Sequence, residues 1–261
     1  MTKSFSKAYS SRDVLRRESY PFGPLFDFSR GGYRVALVYP NTYHVGMSNL
    51  GFLQIYRLLN AMEGVVCERA FVPEAPAKKV RTIETNSPLG HFDLVAFSCP
   101  YETDYPGLLW ILNESGIPVR SADRSENHPL VLVGGICPSY NPEPLAGFVD
   151  VAVFGEGEEV LLEIMEVLID EKGQKREIIL SDLAEIEGIY IPAGYEPIPG
   201  RNSELRALRP LQGFQERVKK RSIKDLERHR SLSWIMTEDT EFGKLFLIEI
   251  GRSCGWGCRF C

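Results

Sequence analysis

The sequence predicts an α/β protein built on a five-stranded, parallel, flavodoxin-like sheet. Five short apolar runs alternate with segments whose apolar residues recur at helical spacing. Strands separated by helical crossovers pair in parallel, because right-handed crossovers carry the chain over both faces of the sheet. Such sheets bind ligands beyond the carboxyl ends of their strands, near the point where the strand order reverses.

The predicted strands are rich in aliphatic and aromatic residues, as expected for strands buried on both faces. They cover residues 33–39, 65–72, 92–99, 129–133 and 149–154. Apolar spacing predicts helices over 50–59, 108–112 and 158–171. Residues 73–91 contain three prolines, which prevent a continuous helix, so we expect a long connection there.

Four regions are predicted along the chain. A polar lead segment over 1–32 precedes the α/β domain over 33–172, and a small α/β extension with a short helix at 181–186 and a hairpin at 188–199 occupies 173–215. Residues 216–261 form a linker followed by one further strand. The basic stretch 216–230 is interpreted as a solvated interdomain linker, with RNA contact as the alternative.

The composition is typical of a globular protein, with 44% hydrophobic and 25% charged residues among 261. A net charge of −5 argues against a general nucleic-acid surface. We expect no membrane span, since no apolar run reaches about 18 residues. The amino terminus lacks the apolar stretch of a secretory signal, so we expect a cytoplasmic protein. Cys67, Cys99 and Cys137 lie in or beside apolar runs and are expected in the core.

The last eight residues contain Cys254, Cys258 and Cys261, directly after the apolar run 245–250, which predicts a buried parallel strand. Gly255 and Gly257 allow the backbone to fold closely around a compact group. Thiolates at this spacing suit a cubane iron–sulfur cluster, and three ligands for four irons leave one iron open. A zinc site is the alternative, although structural zinc usually takes four ligands and no second cysteine pair is present.

With Phe260 before the last cysteine, this motif resembles the signature of the radical S-adenosylmethionine (SAM) enzymes. The resemblance implies a [4Fe-4S] cluster whose open iron binds the amino and carboxylate groups of SAM. An electron from the cluster then cleaves the sulfonium to give a 5′-deoxyadenosyl radical. The resemblance further implies that Phe260 provides backbone contacts near the adenine and that a flavodoxin or ferredoxin is the reductant. It leaves the substrate unspecified, with RNA or protein as the candidates.

The loop 39–51 and the stretches 134–138 and 155–158 resemble one subgroup of that family, which has a cobalamin-binding-like domain before its (β/α) barrel. The resemblance implies that cobalamin is a possible cofactor. It assigns cofactor contacts to residues of two loops, namely Tyr43, His44, Gly46, Ser48, Gly134 and Gly135.

The histidine loop departs from the Asp-x-His-x-x-Gly motif of the best-known cobalamin domains. Thr42 stands in place of the aspartate, and Gly46 comes one residue early. We therefore expect any cobalamin to bind without His44 on cobalt. The stretch 154–159 is interpreted as a tight strand-to-helix turn, because its carboxylates would repel the phosphates of a dinucleotide.

The predicted barrel has only its first strand and first loop in this chain, whereas such a barrel needs about 200 residues or more. We expect the amino-terminal part of a radical SAM enzyme acting on an unactivated carbon, with methyl transfer as the reaction if cobalamin is bound. The alternative is a binding module that recognises a partner or substrate without cobalamin and without catalysis. No catalytic residue is identified.

Overall fold

A computed structural model describes residues 11–24, 32–74, 79–201, 205–252 and 256–259. A six-stranded sheet lies at its centre, in the order β2-β1-β3-β4-β5-β6. The first five strands are parallel and β6 is antiparallel to β5. The strands are β1 Tyr33–Tyr39, β2 Val65–Phe71, β3 Leu94–Ser98, β4 Leu130–Gly134, β5 Val151–Val153 and β6 Ile189–Tyr190, and β7 Tyr195–Pro199 and β8 Leu205–Pro210 form a separate hairpin. The predicted flavodoxin-like arrangement is confirmed.

Helices connect the strands. They are α1 Ser11–Leu15, α2 Tyr43–Met47, α3 Leu50–Ala61, α4 Tyr105–Glu114, α5 Ile136–Tyr140, α6 Gly157–Asp170 and α7 Arg176–Leu183. Asn49 caps α3, since its side-chain oxygen accepts a hydrogen bond from the Phe52 amide over 2.9 Å. None of the described helices is long and apolar enough to cross a membrane.

Two buried clusters lie on opposite faces of the sheet, because successive strand residues point to opposite sides. On one face, Val35 and Leu37 pack with residues of α3 and α6, including the fully buried Phe52. On the other face, Ala36 and Val38 pack with residues of α4, including Leu108, Ile111 and Leu112. Each large apolar side chain buried in this way contributes about 1.5–3 kcal/mol.

The predicted hairpin lies later in the chain than expected. Ile189 and Tyr190 are buried and extend the main sheet as β6, and the amide of Phe154 donates to the carbonyl of Gly188 over 2.7 Å beside them. The hairpin is formed by β7 and β8, whose residues are mostly exposed. Burial of the apolar pair in the sheet explains why these residues join β5 rather than β7.

The run 245–250 does not form the predicted buried parallel strand. It pairs antiparallel with 231–233, through Ser233 N to Leu247 O at 3.0 Å and Glu249 N to Ser231 O at 3.0 Å. Ile250 is fully exposed. A strand buried on both faces needs neighbours on both edges, and no parallel strand lies beside this run in the part of the chain that the structure describes.

The lead segment is attached to the α/β domain by a buried ionic cluster. The guanidinium of Arg69 donates to both oxygens of Glu18 over 2.8 Å and to Glu84 over 2.7 Å, with all three side chains inaccessible to solvent. Burial disfavours the charged guanidinium, but the two carboxylates outweigh it and raise the pKa of Arg69. Ser19 also pairs with Met236, so the lead segment contacts the later chain as well.

Candidate functional site

The carboxyl ends of the parallel strands lie along one edge of the sheet, where ligands of such folds bind. Hydrogen bonds join the loops that leave these ends. The amide of Cys99 donates to the carbonyl of Gly134 over 2.8 Å. Asn41 Nδ2 donates to Asp104 Oδ1 over 2.9 Å and connects the loop after β1 to the loop after β3. The loops therefore form one continuous edge.

Two of the residues assigned to cofactor binding, Tyr43 and Gly46, are buried. The Tyr43 hydroxyl donates to Glu18 Oε1 over 2.8 Å, and burial raises the pKa of this hydroxyl well above its ordinary value. Gly46 lies against the ring of Phe71, where an added Cβ would be 2.5 Å from the nearest ring carbon. Both residues therefore hold α2 against the core and the lead segment.

His44 and Ser48 contact a later segment, residues 237–241. His44 Nδ1 lies 2.9 Å from Asp239 Oδ1, and Nε2 lies 3.3 Å from Glu241 Oε1. The Ser48 hydroxyl accepts a hydrogen bond from the amide of Glu241 over 2.9 Å. Burial favours the neutral imidazole, but the hydrogen bonds to both carboxylates outweigh it and raise the pKa of His44. Both ring nitrogens therefore have carboxylate partners.

The start of α6 contacts the basic segment after the hairpin. Arg221 pairs with Glu163, and His229 Nε2 lies 3.4 Å from Glu159 Oε1. Gly155 has φ 104°, and its missing side chain lets the carbonyl of Arg221 lie directly against it. Most residues of 216–230 are exposed, and the interpretation of this segment as a solvated interdomain linker stays a prediction; opposite charges hold it on the α/β domain at Arg221 and His229.

Arg252, which lies later in the chain than the basic segment, also contacts the turn after β5. Its Nη1 lies 2.7 Å from Glu156 Oε1, its Nε lies 2.8 Å from Glu249 Oε1, and its Nη2 pairs with Glu158. The hydrogen bond from Arg252 lowers the pKa of Glu249. We call the loops 41–49 and 155–163, with the residues of 216–252 that contact them, the covered part of the edge.

The middle of the edge, loops 99–105 and 134–141 after β3 and β4, lies between the two covered loops, and we call it the open part. Gly134 and Gly135, both assigned to cofactor binding, lie here. Gly135 has φ 120°, and an added Cβ would be 2.6 Å from the carbonyl oxygen of Cys99, so only glycine fits. At Gly134, an added Cβ would have one neighbouring atom within 4 Å among the described residues, Val153 Cβ at 3.9 Å.

Exposed aromatic and apolar side chains lie in the same two loops. Tyr101 is 60% exposed, Tyr140 is 76% exposed and Ile136 is 52% exposed. Lys220 Nζ lies 5.7 Å from the centre of the Tyr140 ring. Sequence reasoning did not assign these three side chains to a ligand, although Ile136 lies in the stretch 134–138 that it linked to a cobalamin-binding-like domain.

Asp104 lies buried in loop 99–105, where the open part meets the covered loop 41–49. Its Oδ1 accepts from Asn41, whereas its Oδ2 is buried without a hydrogen-bond partner among the described residues. Burial raises the pKa of Asp104, which favours the neutral carboxyl. Asp104 and Asn41 therefore form a polar contact at the point where the strand order reverses between β1 and β3.

Comparison with known families assigns the α/β domain. Residues 51–192, more than half of the chain, match the family described as radical SAM proteins, N-terminal. The chain belongs to this family. The match runs from α3 past β6 and ends well before the three cysteines. This radical SAM assignment from the domain agrees with the resemblance that the cysteine motif indicated.

Two kinds of relatives of this radical SAM chain are found. An uncharacterized protein of Methanocaldococcus jannaschii is 27% identical over 237 residues, which cover 87% of this chain and 40% of that protein. Solved structures of the cobalamin-dependent S-adenosylmethionine radical enzyme OxsB, with aqua-cobalamin and with aqua-cobalamin and S-adenosylmethionine bound, align at 16% identity with TM-scores of 0.42 and 0.43. That alignment covers 74% of this chain and 23% of the OxsB chain. At this similarity no ligand contact is transferred from OxsB.

Of the predicted cluster residues, Cys258 is described and its side chain is exposed. Cys254, Phe260 and Cys261 lie outside the described residues. Within the described part of the radical SAM chain, no three His, Cys, Asp or Glu side chains are grouped to hold a metal ion. The other three cysteines were expected in the core: Cys67 and Cys99 are buried, and Cys137 is half-buried.

Proposed function

We propose that this chain is part of a radical SAM enzyme in which Cys254, Cys258 and Cys261 bind a [4Fe-4S] cluster. The observation that carries the proposal is this three-thiol motif, with Phe260 before its last cysteine, in a chain whose residues 51–192 belong to the radical SAM N-terminal family. The chain spans 40% of the length of its curated relative, so the activity belongs to the whole protein.

The donor set fits the cluster. The exposed Cys258 thiol is accessible to iron, and an added Cβ at the neighbouring Gly257 would have no atom within 4 Å, so space is available around it. Three thiolates complete the coordination of three irons and leave the fourth open to SAM. When bound, the cluster supplies the electron that cleaves SAM. We propose a flavodoxin or ferredoxin as its source, and a cytoplasmic location, where thiols stay reduced.

Cobalamin is proposed as a ligand of the open part of the edge. Tyr101, Ile136 and Tyr140 offer exposed ring and aliphatic surface to a large, partly apolar cofactor, and the backbone at Gly134 and Gly135 is free of side chains. The covered part is already occupied by residues 221–252. Methyl transfer to an unactivated carbon is the reaction class proposed for such a cofactor pair, with RNA or protein as the substrate classes.

Cobalamin binding at this edge would not use His44 as a cobalt ligand. Both of its ring nitrogens contact carboxylates, at 2.9 Å and 3.3 Å. The role supported for this histidine is to hold residues 237–241 on α2. Three neighbouring residues help to hold α2 and this segment in place. Tyr43 donates to Glu18, Gly46 lies against Phe71, and Ser48 accepts a hydrogen bond from the amide of Glu241.

Anaerobic reconstitution of the complete protein tests the proposal. We expect about four iron and four sulfide per chain, with broad visible absorbance, and loss of both in Cys258→Ala. Cys137→Ser is the matched control, because this half-buried thiol lies outside the motif, and it should retain the cluster. Full iron and sulfide in Cys258→Ala would refute the assignment. A wild-type protein that binds neither iron nor cobalamin would favour the non-catalytic binding module.

A further inference from the structure

Arg252 lies at the meeting point of two segments and stands two residues before the first cysteine of the motif. Three carboxylates contact its guanidinium. Glu249 comes from its own segment, with Oε1 at 2.8 Å from Nε and Oε2 at 3.1 Å from Nη2. Glu156 and Glu158 come from the turn after β5, with Glu156 Oε1 at 2.7 Å from Nη1.

All three nitrogens of the planar Arg252 guanidinium take part in these contacts. Nε, Nη1 and Nη2 all donate to carboxylates, and charge-assisted bonds of this kind are the strong ones. The Arg252 side chain is 24% exposed and that of Glu158 is 8% exposed, so water screens the contact only in part. A lysine, with a point charge on a flexible stem, cannot reproduce the planar, forked geometry of these contacts.

The covalent chain transmits this anchor to the cysteine motif. Only one residue separates Arg252 from Cys254 in the sequence, so a contact that fixes Arg252 restricts the chain immediately before the first cysteine. Glu156 and Glu158 are fixed in turn by the end of β5 and the first turn of α6. Arg252, from which the chain continues into the cysteine motif, is therefore held at the carboxyl edge of the sheet.

We propose that Arg252 is a positioning residue that fixes the cysteine loop, with any cluster it binds, against the α/β domain through Glu156 and Glu158. This inference rests on the proposed cluster for its functional meaning. Its consequence is that the acidic turn 155–158, rather than binding a ligand, sets where the cluster stands relative to the edge of the sheet. The cysteine loop is thereby attached to the α/β domain next to the proposed cluster.

The test compares the complete protein with Arg252→Ala, Arg252→Lys and Glu158→Gln. Arg209→Ala is the matched control, because Arg209 pairs with Glu196 on the exposed hairpin, away from the edge. The first measurement is hydrogen exchange of the metal-free protein over residues 245–259. We expect exchange there to be several-fold faster in Arg252→Ala and unchanged in Arg209→Ala.

The second measurement is the rate of iron loss to a chelator after anaerobic reconstitution. We expect Arg252→Ala to lose iron about tenfold faster than wild type, which is at the lower end of the effect of removing outer partners of a metal site. Arg252→Lys should give an intermediate rate, since it restores the charge without the fork. A purely structural contact far from the cluster would leave this rate unchanged.

The outcomes separate the two proposals. A wild-type protein that binds no cluster overturns the proposed function, and faster exchange in Arg252→Ala then still supports the anchor. A wild type that binds its cluster, with Arg252→Ala equal to it in exchange and iron loss, overturns the anchor and leaves the function standing. If the amides of β3 and β4 also exchange faster in Arg252→Ala, this variant has lost its fold and Glu158→Gln is used in its place. Unchanged exchange over 245–259 in Glu158→Gln then overturns the inference.

Discussion

The covered and open parts of the edge belong to the same sheet but are stabilised in different ways. In the covered part, α2 and the start of α6 hold later residues by ion pairs between groups far apart in sequence, such as His44 with Asp239 and Glu156 with Arg252. In the open part, Tyr101 and Tyr140 are exposed. The comparison shows that one edge of a sheet can have two roles. The covered part attaches residues of 216–252, whereas the open part stays accessible.

The largest effect is expected in the buried ionic cluster beneath the covered part. Glu18→Ala removes four hydrogen bonds that Glu18 accepts, two from Arg69, one from Tyr43 and one from Tyr20. Breaking a buried pair costs about 3–5 kcal/mol, and we expect about 3 kcal/mol because Glu84 still contacts the guanidinium. Urea unfolding measures this loss. The exposed ion pair of Glu196 gives the control, since Glu196→Ala should cost less than about 1 kcal/mol. Equal losses of unfolding free energy in Glu18→Ala and Glu196→Ala would contradict the expectation that burial strengthens the contacts of Glu18.

On the open part, Tyr140→Ala should affect binding and leave stability nearly unchanged. Its exposed side chain contributes little to packing, so the free energy of unfolding should change by less than about 0.5 kcal/mol. Cobalamin binding, measured by equilibrium dialysis, should weaken about tenfold, which corresponds to about 1.4 kcal/mol of lost contact. Unaltered cobalamin affinity in both Tyr140→Ala and Tyr101→Ala would place the ligand elsewhere.

Attachment of residues 237–241 to the covered part should weaken as the pH rises. His44 has a folded-state pKa raised above its ordinary value of about 6.5. Its contribution is therefore fully present below pH ~6.5 and is lost as the pH rises through the raised pKa. Hydrogen exchange over 237–241, corrected for intrinsic rates, should accelerate as the pH rises above about 6.5. His44→Gln should remove this pH dependence, and its persistence in that variant would exclude His44 as the cause.

The smallest expected effect concerns cobalt. Because the imidazole nitrogens of His44 contact Asp239 and Glu241, we expect electron paramagnetic resonance of bound cob(II)alamin to look the same in wild type and His44→Ala. Neither spectrum should contain nitrogen splitting from this histidine. Splitting that disappears in His44→Ala would show that the covered part opens and that His44 ligates cobalt.

Much of the fold could be predicted because its signals are local. The apolar run of β1 has the predicted bounds, Tyr33–Tyr39, and β2 to β5 lie within or beside the predicted runs. β6 was missed because two residues are too short to show a period. The run 245–250 has the composition of a buried strand, but burial depends on neighbours that composition does not specify.

The sequence by itself determined the order of β1 to β5 and the thiol motif, since each depends on residues close together in the chain, and it predicted the carboxyl edge as the place for ligands. Only the tertiary structure decided which loops of that edge are open. The partners of His44 and Glu156 lie 195 and 96 residues away, and a charge in a sequence does not specify its partner. Folding brings those charges within hydrogen-bonding distance, and the resulting ion pairs attach the later residues to α2 and to the acidic start of α6.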